Sequence, residues 1–427
     1  MAEITAVILA GGIGKRFVPF ITDKTLFSFL GKSLLDRTLE MVSEAGIKNV
    51  VLAVNRYNQP WVEGAKNRFA ALNIQTALQT EPKGMGDALL SIKHLLPEKD
   101  IVVMNAGDMV EHRLLSELLA FAEGKYAVLT GMRTASYQPL GYFVLDSDQR
   151  VSGILEKPGA GQMPSDLANL VFHYFSNAAE FVALVEAAQS NAASGSDDVY
   201  EQALNQLMRQ QRVDVFRYEG PWQKLKYGHH VLDMVEYMLR TLRRSISPQS
   251  EIAPSAVVNG EVVIEAGAKI LDGAVIQGPC YIGPNAVIGN QALVRQSLVE
   301  GGSVVGFASE IVRSYVGANC DLHHAYVGDS VLEGKVHFGY NAHTANYRFD
   351  QKPVAMKWTS GKIETEKTKL GALIASGSEI GVNSSILPGI CIGTEAFVYP
   401  SCLVFAAVPD RSSVKETRVQ SIEARTA

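Results

Sequence analysis

The first residues able to do chemistry are Gly11-Gly12-Ile13-Gly14-Lys15-Arg16, which follow directly on the apolar run 5–10. Glycines let backbone N–H groups come close to phosphate oxygens, and an arginine can grip two such oxygens at once. A turn of this composition is suited to holding a phosphate ester. Its spacing is not that of a Walker A loop, which would need glycine at position 9 and Ser or Thr at position 16. It is not the dinucleotide fingerprint either, because the third glycine is missing. The four cysteines, Cys280, Cys320, Cys391 and Cys402, form no Cys-x-x-Cys pair. They fit neither a disulfide framework nor a zinc site, and read as small buried hydrophobes in a reducing compartment.

The elements that must position the glycine turn are legible around it. Residues 5–10 read as a buried strand, 33–45 as a helix stopped by Gly46, and 50–54 and 101–104 as further buried strands. Strands alternating with helices over residues 1–243 predict an α/β domain with a Rossmann-like, mostly parallel sheet, whose ligands bind at the carboxyl ends of the strands. From about residue 250 the period changes. Ile252, Val258, Ile264, Ile270, Ile276, Ile282, Ile288 and Val294 recur every sixth residue, and Ile374, Ile380, Ile386, Ile392, Val398 and Val404 resume the series. Val299, Val305 and Ile311 keep the spacing in shifted phase. A small residue such as Ala268, Ala274, Cys280, Ala286 or Ala292 stands four places after most of the early anchors. This hexad pattern predicts a parallel β-helix over 250–410, with a basic inserted loop at 337–369 and a polar tail at 411–427.

The chain has 427 residues, 47% hydrophobic and 19% charged, which is ordinary for a folded globular protein and leaves room for two or three domains. Lys+Arg is 39 against Asp+Glu 44, so the net charge of -5 argues against a nucleic-acid partner. The N-terminus lacks a basic, apolar leader and no eighteen-residue apolar window occurs, which predicts no membrane association and a cytoplasmic location.

Residues 9–17 resemble the signature of the sugar-1-phosphate nucleotidylyltransferases. The likeness covers nearly the whole chain. It is strongest to the two-domain members with a C-terminal left-handed β-helix, which include the bifunctional N-acetylglucosamine-1-phosphate uridylyltransferase/glucosamine-1-phosphate acetyltransferase and archaeal relatives. The resemblance implies phosphate contacts for Gly11, Gly12, Gly14, Arg16 and Lys24, although Asp23 stands where the signature has proline. The run 79–88 resembles the base-reading loop, so Gln79 and the backbone near Gly84 inherit contacts to a pyrimidine, with UTP or dTTP favoured. Met85 replaces the usual threonine there. Asp108, in Asn105-Ala106-Gly107-Asp108, resembles the family's ligand for Mg²⁺, a cation that needs few protein carboxylates. Glu156-Lys157-Pro158 and Asn169 resemble the residues that hold the sugar and its phosphate. Lys224 appears where the family has a second metal-binding Asp or Asn. Either a lysine charge takes over from the metal's, or catalysis has been lost.

In the second half, His323 takes the place of the acetyltransferase's general base, and a neutral imidazole suits that task. Tyr326, Asn346, Tyr347 and Lys352 match residues that bind the sugar phosphate or the acyl carrier, so acetyl-CoA or another acyl-CoA is implied. Bulky Tyr340 departs from the family's glycine-rich run. The reading is therefore a nucleotidylyltransferase that joins a nucleoside triphosphate to a sugar-1-phosphate with release of pyrophosphate, with an acyltransferase in the β-helix. The resemblance also implies a homotrimer or higher homo-oligomer. Two alternatives stay open: a catalytically silent nucleotide-sugar sensor or assembly subunit, and a nucleotidyltransferase acting on a non-sugar phosphate or phosphonate.

Overall fold

The computed structural model describes residues 3–148, 150–159, 161–193, 196 and 198–416. The chain divides into two compact units. The first holds the residues up to Gly14, Asp23–Phe27 and Ser33–Lys224; the second holds Lys15–Thr22, Ser28–Lys32 and Leu225 onward.

In the first unit the strands Thr5–Leu9, Asn49–Val54, Asn73–Leu78 and Lys99–Asn105 run parallel within a nine-stranded sheet. Three antiparallel neighbours, Leu167–Asn177, Gly141–Leu145 and Val151–Glu156, extend it, and Ala127–Arg133 and Val213–Tyr218 complete it. The helices are Leu34–Glu44 (α1), Gln59–Arg68 (α2), Met85–Ser91 (α3), Arg113–Ala122 (α4), Ala178–Asn191 (α5) and Val199–Gln210 (α6). Alternate strand residues serve opposite faces: Ala6, Ile8, Val50 and Leu52 pack with α1, α2 and α4, while Val7, Leu9, Val51 and Ala53 pack with α3, α5 and α6. Both faces being covered explains why these strands are nearly unbroken apolar runs. Helix α1 starts where the sequence predicts, because Ser33 and Asp36 form a reciprocal capping box. Gly46, at φ +78°, follows its end.

The register matters most for function. Leu9 pairs with Ala53 and with Asn105, and Val54 pairs with Leu78. The four parallel strands thus finish at nearly the same level. The loops that follow them, carrying Gly11, Asn55, Gln79 and Asp108, belong to one edge of the sheet, the carboxyl edge where α/β proteins bind ligands.

In the second unit, short strands of two or three residues stack into three parallel sheets, the faces of a left-handed β-helix. Ile264, Ile270, Ile276, Ile282, Ile288 and Val294 all point inward and are fully buried, as are Ala268, Ala274, Cys280, Ala286 and Ala292. A coil takes eighteen residues where Ile264 pairs with Ile282, seventeen where Val299 pairs with Val316, and sixteen where Val316 pairs with Leu332. Shortened faces therefore cause the phase shift seen in the sequence. All four cysteines are buried and free; burial pushes the Cys280 thiol up to about 11 and the Cys320 thiol up to about 12.

Two sequence expectations change here. The insertion does not begin at 337, because His337–Phe338 and His343–Thr344 are regular β-helix strands with Phe338 and Thr344 in the interior. It begins after Thr344 and carries its own ribbon, Met356–Trp358 against Gly361–Ile363. The tail likewise starts later than 411: Ser413–Val414 pairs with Phe397–Val398, and residues 417–427 lie outside the described residues. Helix α7, His230–Thr241, falls in the second unit. Among the described residues no helix is long and apolar enough to cross a membrane.

Candidate active site

On the carboxyl edge of the first unit, Gly11 is packed so tightly that a Cβ there would collide with Oε1 of Gln79, whereas Gly12 borders open space. Gly14 sits at φ +60°, in the left-handed region that favours glycine. Gln79 is buried, and its amide donates to Asp87 Oδ2 at 2.6 Å and to the carbonyl of Gly84 at 3.3 Å. These bonds fix the amide's orientation, leaving Oε1 toward Gly11. Gly84, at φ +101°, immediately precedes α3.

Two buried asparagines that sequence reasoning missed tie this edge together. Asn55 Nδ2 donates to the carbonyls of Ala10 and Gly12 and to Asp23 Oδ2 at 2.7 Å. Asn58 Nδ2 donates to the Ala10 carbonyl at 2.8 Å. Asp23 also accepts from the backbone N–H and the hydroxyl of Thr25. The carboxylate that replaces the signature proline is thus a structural clamp on the loop that leads into Lys24.

Lys24, Asp108 and Lys224 form the charged centre. The strand Asp108–Val110 pairs antiparallel with Trp222–Lys224, and in that register Lys224 stands directly opposite Asp108. Asp108 accepts from the Trp222 indole and the Asn105 amide, each at 3.1 Å. Burial raises its pKa; the Lys24 ammonium, these two hydrogen bonds and Lys224 pull the other way. The Lys24 ammonium lies 3.0 Å from where a Cβ on Gly107 would be, so glycine leaves room for it. Lys224 Nζ donates to Gln138 Oε1 at 2.7 Å and lies 5.4 Å from the centre of the Trp222 ring. Asp108 keeps lone pairs beyond these two bonds. One carboxylate is a sufficient protein contribution to a Mg²⁺ that also binds substrate phosphates, so the residues fit that ion. Arg16 is exposed and belongs to Lys15–Thr22, which packs in the second unit.

A second cluster gathers Glu156, Lys157 and Asn169 around Gly141. A Cβ at Gly141 would lie 2.9 Å from Glu156 Oε2 and 3.7 Å from the Asn169 Cβ. Lys157, at φ +47°, holds its ammonium 2.8 Å from Glu156 Oε1. Asn169 Oδ1 bonds to Nε2 of His173, whose Nδ1 meets the Tyr200 hydroxyl at 3.0 Å. Burial drives the His173 pKa down to about 3, so the ring is neutral. Glu201, which the sequence did not single out, is buried on α6 with Oε2 lacking a hydrogen-bond partner among the described residues. One turn along, Asn205 bonds both the N–H and the carbonyl of Ile154, so this face of α6 lies on the strand that ends at Glu156.

In the β-helix, Asn346 Nδ2 donates to the Tyr326 hydroxyl at 3.2 Å and to Asp329 at 2.6 Å. Asp329 in turn takes two bonds of 2.7 Å from the Arg313 guanidinium, one coil away. Coil stacking brings in Arg313, which no linear motif marked. His323 lies at the end of the strand Asp321–Leu322, with Nε2 3.4 Å from Asp321 Oδ2. Tyr340 is exposed and packs on His324, ring centres 4.9 Å apart. Tyr347 bridges to Lys369, and Lys352 is exposed with its N–H on Asp350.

A glycine-rich turn at the carboxyl edge of a parallel sheet, followed by a hexapeptide-repeat β-helix, defines a nucleotidyltransferase joined to a hexapeptide transferase domain. The family model for nucleotidyl transferase matches residues 5–223 and that for bacterial transferase hexapeptide (six repeats) matches residues 261–296. The chain belongs to the nucleotidyl transferase family and is an enzyme. It is 28% identical to the bifunctional sugar-1-phosphate nucleotidylyltransferase/acetyltransferase of Sulfurisphaera tokodaii, over 93% of this chain and 96% of that protein. It is also 28% identical to the bifunctional protein GlmU of Methanocaldococcus jannaschii, over 93% of this chain and 94% of that protein. Among solved structures, apo-UDP-glucose pyrophosphorylase overlays with a TM-score of 0.48 at 16% identity, covering 56% of this chain and 99% of its own.

Proposed function

We propose that the first unit joins a nucleoside triphosphate, UTP or dTTP, to a sugar-1-phosphate and releases pyrophosphate. The observation that carries this reading is the opposition of Lys224 to Asp108, with Lys24 beside Gly107, on the carboxyl edge that also bears the glycine turn. A phosphate oxygen of the sugar phosphate attacks the α-phosphorus in line, a new P–O bond forms, and the bond to the β-phosphate oxygen breaks. The nucleophile is already an anion at neutral pH, so no general base is needed. Positioning and charge neutralisation suffice. Lys24 neutralises triphosphate oxygens. Glu156 and Asn169 hold sugar hydroxyls, and Lys157 and Lys224 receive the incoming phosphate. Gln79, held by Asp87, presents its carbonyl edge, which suits the imide N–H of uracil or thymine. A Mg²⁺ held by Asp108 supplies further charge neutralisation when it is bound. The assay is pyrophosphate release over a panel of triphosphates and sugar phosphates, with Lys24→Ala expected to lose turnover by ~10²–10³-fold while folding normally. Binding without turnover across the panel would establish the sensor reading instead. A product mass matching a phosphonate or non-sugar ester would redirect the acceptor.

A second reading, acyl transfer in the β-helix, is favoured by the chain of bonds from Arg313 through Asp329 to Asn346 and Tyr326. Such a network can orient an amino-sugar phosphate beside His323 as the base, with Tyr347 and Lys352 on the side of acetyl-CoA or another acyl-CoA. Free-thiol release from acetyl-CoA with amino-sugar phosphates tests it, and no release above background would leave the β-helix with an assembly role. A homotrimer acting in the cytoplasm completes the proposal, checked by sedimentation and by fractionation.

A further inference from the structure

We propose that Asp321, His323 and His337 form a binding site for a divalent transition-metal ion of the zinc class on the outer face of the β-helix. The strands Asp321–Leu322 and His337–Phe338 are parallel neighbours in which Asp321 pairs with His337 and Leu322 with Phe338. Leu322 and Phe338 point inward and are fully buried, so Asp321 and His337 stand side by side on the outer face. The backbone N–H of His323 bonds to the carbonyl of Phe338 at 3.0 Å, which anchors the third residue to the same ladder. The next rung beyond His337 is Glu379, whose carboxylate adds negative charge to the neighbourhood.

The distances leave room for an ion between the three side chains, which in its absence make one weak hydrogen bond and two loose ion pairs. Asp321 Oδ2 lies 3.4 Å from His323 Nε2 and 3.6 Å from His337 Nδ1. Both are longer than a good N–H···O hydrogen bond of about 2.7–3.2 Å. Ligand atoms about 2.0–2.2 Å from a tetrahedral zinc are separated by about 3.3–3.5 Å, close to the two contacts seen here. The ligand atoms of all three residues lie within 4.8 Å of one another, so modest side-chain rotations close the third edge. Two imidazoles and one carboxylate select zinc-class ions over Mg²⁺ and Ca²⁺, which prefer all-oxygen sites. Three protein ligands leave a fourth position for water or a ligand donor. All three sit on or at the end of regular strands, which holds them more firmly than a mobile loop would. The site does not rest on either activity proposed above. A coordinated His323 has no lone pair on Nε2 to accept a proton, so acyl transfer with that nitrogen as base belongs to the metal-free protein, and the bound ion would block it.

The test uses the full chain stripped with a chelator. Titration with Zn²⁺ by calorimetry and with Co²⁺ by visible absorption should show one site that is weakened about tenfold or more in His337→Asn and in Asp321→Asn. His343→Asn, which alters a half-buried histidine on another face, should leave it unchanged. His337 is only partly buried, so the metal-free melting temperature should stay at the wild-type value. If His337→Asn fails that check, Asp321→Asn carries the test. Pyrophosphate release in His337→Asn should match wild type, which separates failure of this site from failure of the nucleotidyl-transfer reading. Identical Zn²⁺ isotherms in the wild type and the correctly folded variants would overturn the proposal, as would the absence of saturable binding.

Discussion

Replacing Glu201 by glutamine should make the protein more stable at neutral pH and leave it unchanged in mild acid. The residue is only 6% exposed, and its Oε2 has no hydrogen-bond partner among the described residues. Burial first, and the neighbouring Glu156 charge second, raise its pKa from 4.5 to about 8, against a smaller opposite pull from Lys157. Below pH 4.5 the folded and unfolded chains both hold the proton, and the group costs nothing. Between 4.5 and about 8 only the folded chain holds it, so stability falls by about 1.4 kcal/mol for each pH unit, until the folded carboxyl also ionises. At pH 7 that loss amounts to about 3 kcal/mol. Glutamine has the shape of the protonated acid and does not titrate, but its second N–H needs an acceptor, a cost of about 1 kcal/mol. A gain of about 2 kcal/mol at pH 7 should remain, shrinking to nothing or reversing near pH 5. Urea midpoints measured from pH 5 to pH 8.5 read it directly. The proposed acceptor site gives a second readout. While Glu201 is neutral, Glu156 faces Lys157 without a competing carboxylate. The KM for the sugar phosphate should therefore rise above pH 8 in the wild type but not in the variant. Parallel stability curves for the two proteins would refute the reasoning, because Glu201 would then ionise alike in the folded and unfolded chains.

Four further outcomes follow from the charged centre and from the edge that holds Gln79. Lys224→Met should lower kcat by ~10²-fold with little change in stability, and Lys224→Asp should move half-maximal activity to a different Mg²⁺ concentration, both read from pyrophosphate release. Gly107→Ala is tight only against the flexible end of Lys24, with Asn105 Oδ1 at ordinary contact distance, so it should fold at nearly the wild-type melting temperature, yet displacing that ammonium should cost up to ~10²-fold in turnover. Asp87→Ala releases the Gln79 amide and should raise the KM for the triphosphate roughly fivefold while weakening discrimination between uracil and cytosine, measured by competition between UTP and CTP.

The glycine turn, the hexad anchors and α1 were legible because each depends on local sequence: a φ requirement, a fixed inward period, a capping box. The sites that escaped depend on which strands lie side by side. Asn55 and Asn58 look like ordinary turn residues until the register of Leu9 with Ala53 sets them against the Ala10 carbonyl. Arg313 reaches Asp329 only because one coil there takes sixteen residues, a length set by two shortened faces that no six-residue period contains. The start of the insertion was misjudged for a related reason. His337 and His343 are polar, but they face outward, and the interior residues beside them, Phe338 and Thr344, are not the aliphatic type that the repeat led one to expect. Glu201 was hidden because a glutamate in a helix is normally solvated. Its burial follows from the seating of Asn205 on Ile154, two elements far apart in sequence.

Two of the departures from the family's pattern, Asp23 and Lys224, have different physical meanings. Proline restricts the backbone of the signature loop through its ring. Asp23 restricts the same loop by hydrogen bonds, with one oxygen on Thr25 and the other on Asn55. Its lone pairs are thereby largely committed, so it does not compensate for the missing metal ligand. Lys224 changes the charge itself. With a carboxylate at that position, Lys24, Asp108 and residue 224 would sum to -1; with lysine they sum to +1. A triphosphate oxygen about 4 Å from one added positive charge gains about 4 kcal/mol at an effective dielectric near 20, and the removed negative charge spares it a repulsion of the same order. Those magnitudes are comparable to what a catalytic donor contributes to transition-state stabilisation. Part of the neutralisation can thus move from metal to side chain without loss of the chemistry. Burial still raises the pKa of Asp108, and the charges of Lys24 and, more weakly, Lys224 offset part of that rise. This charge balance supports the proposed role of Lys224 as a replacement for charge over the reading that catalysis has been lost.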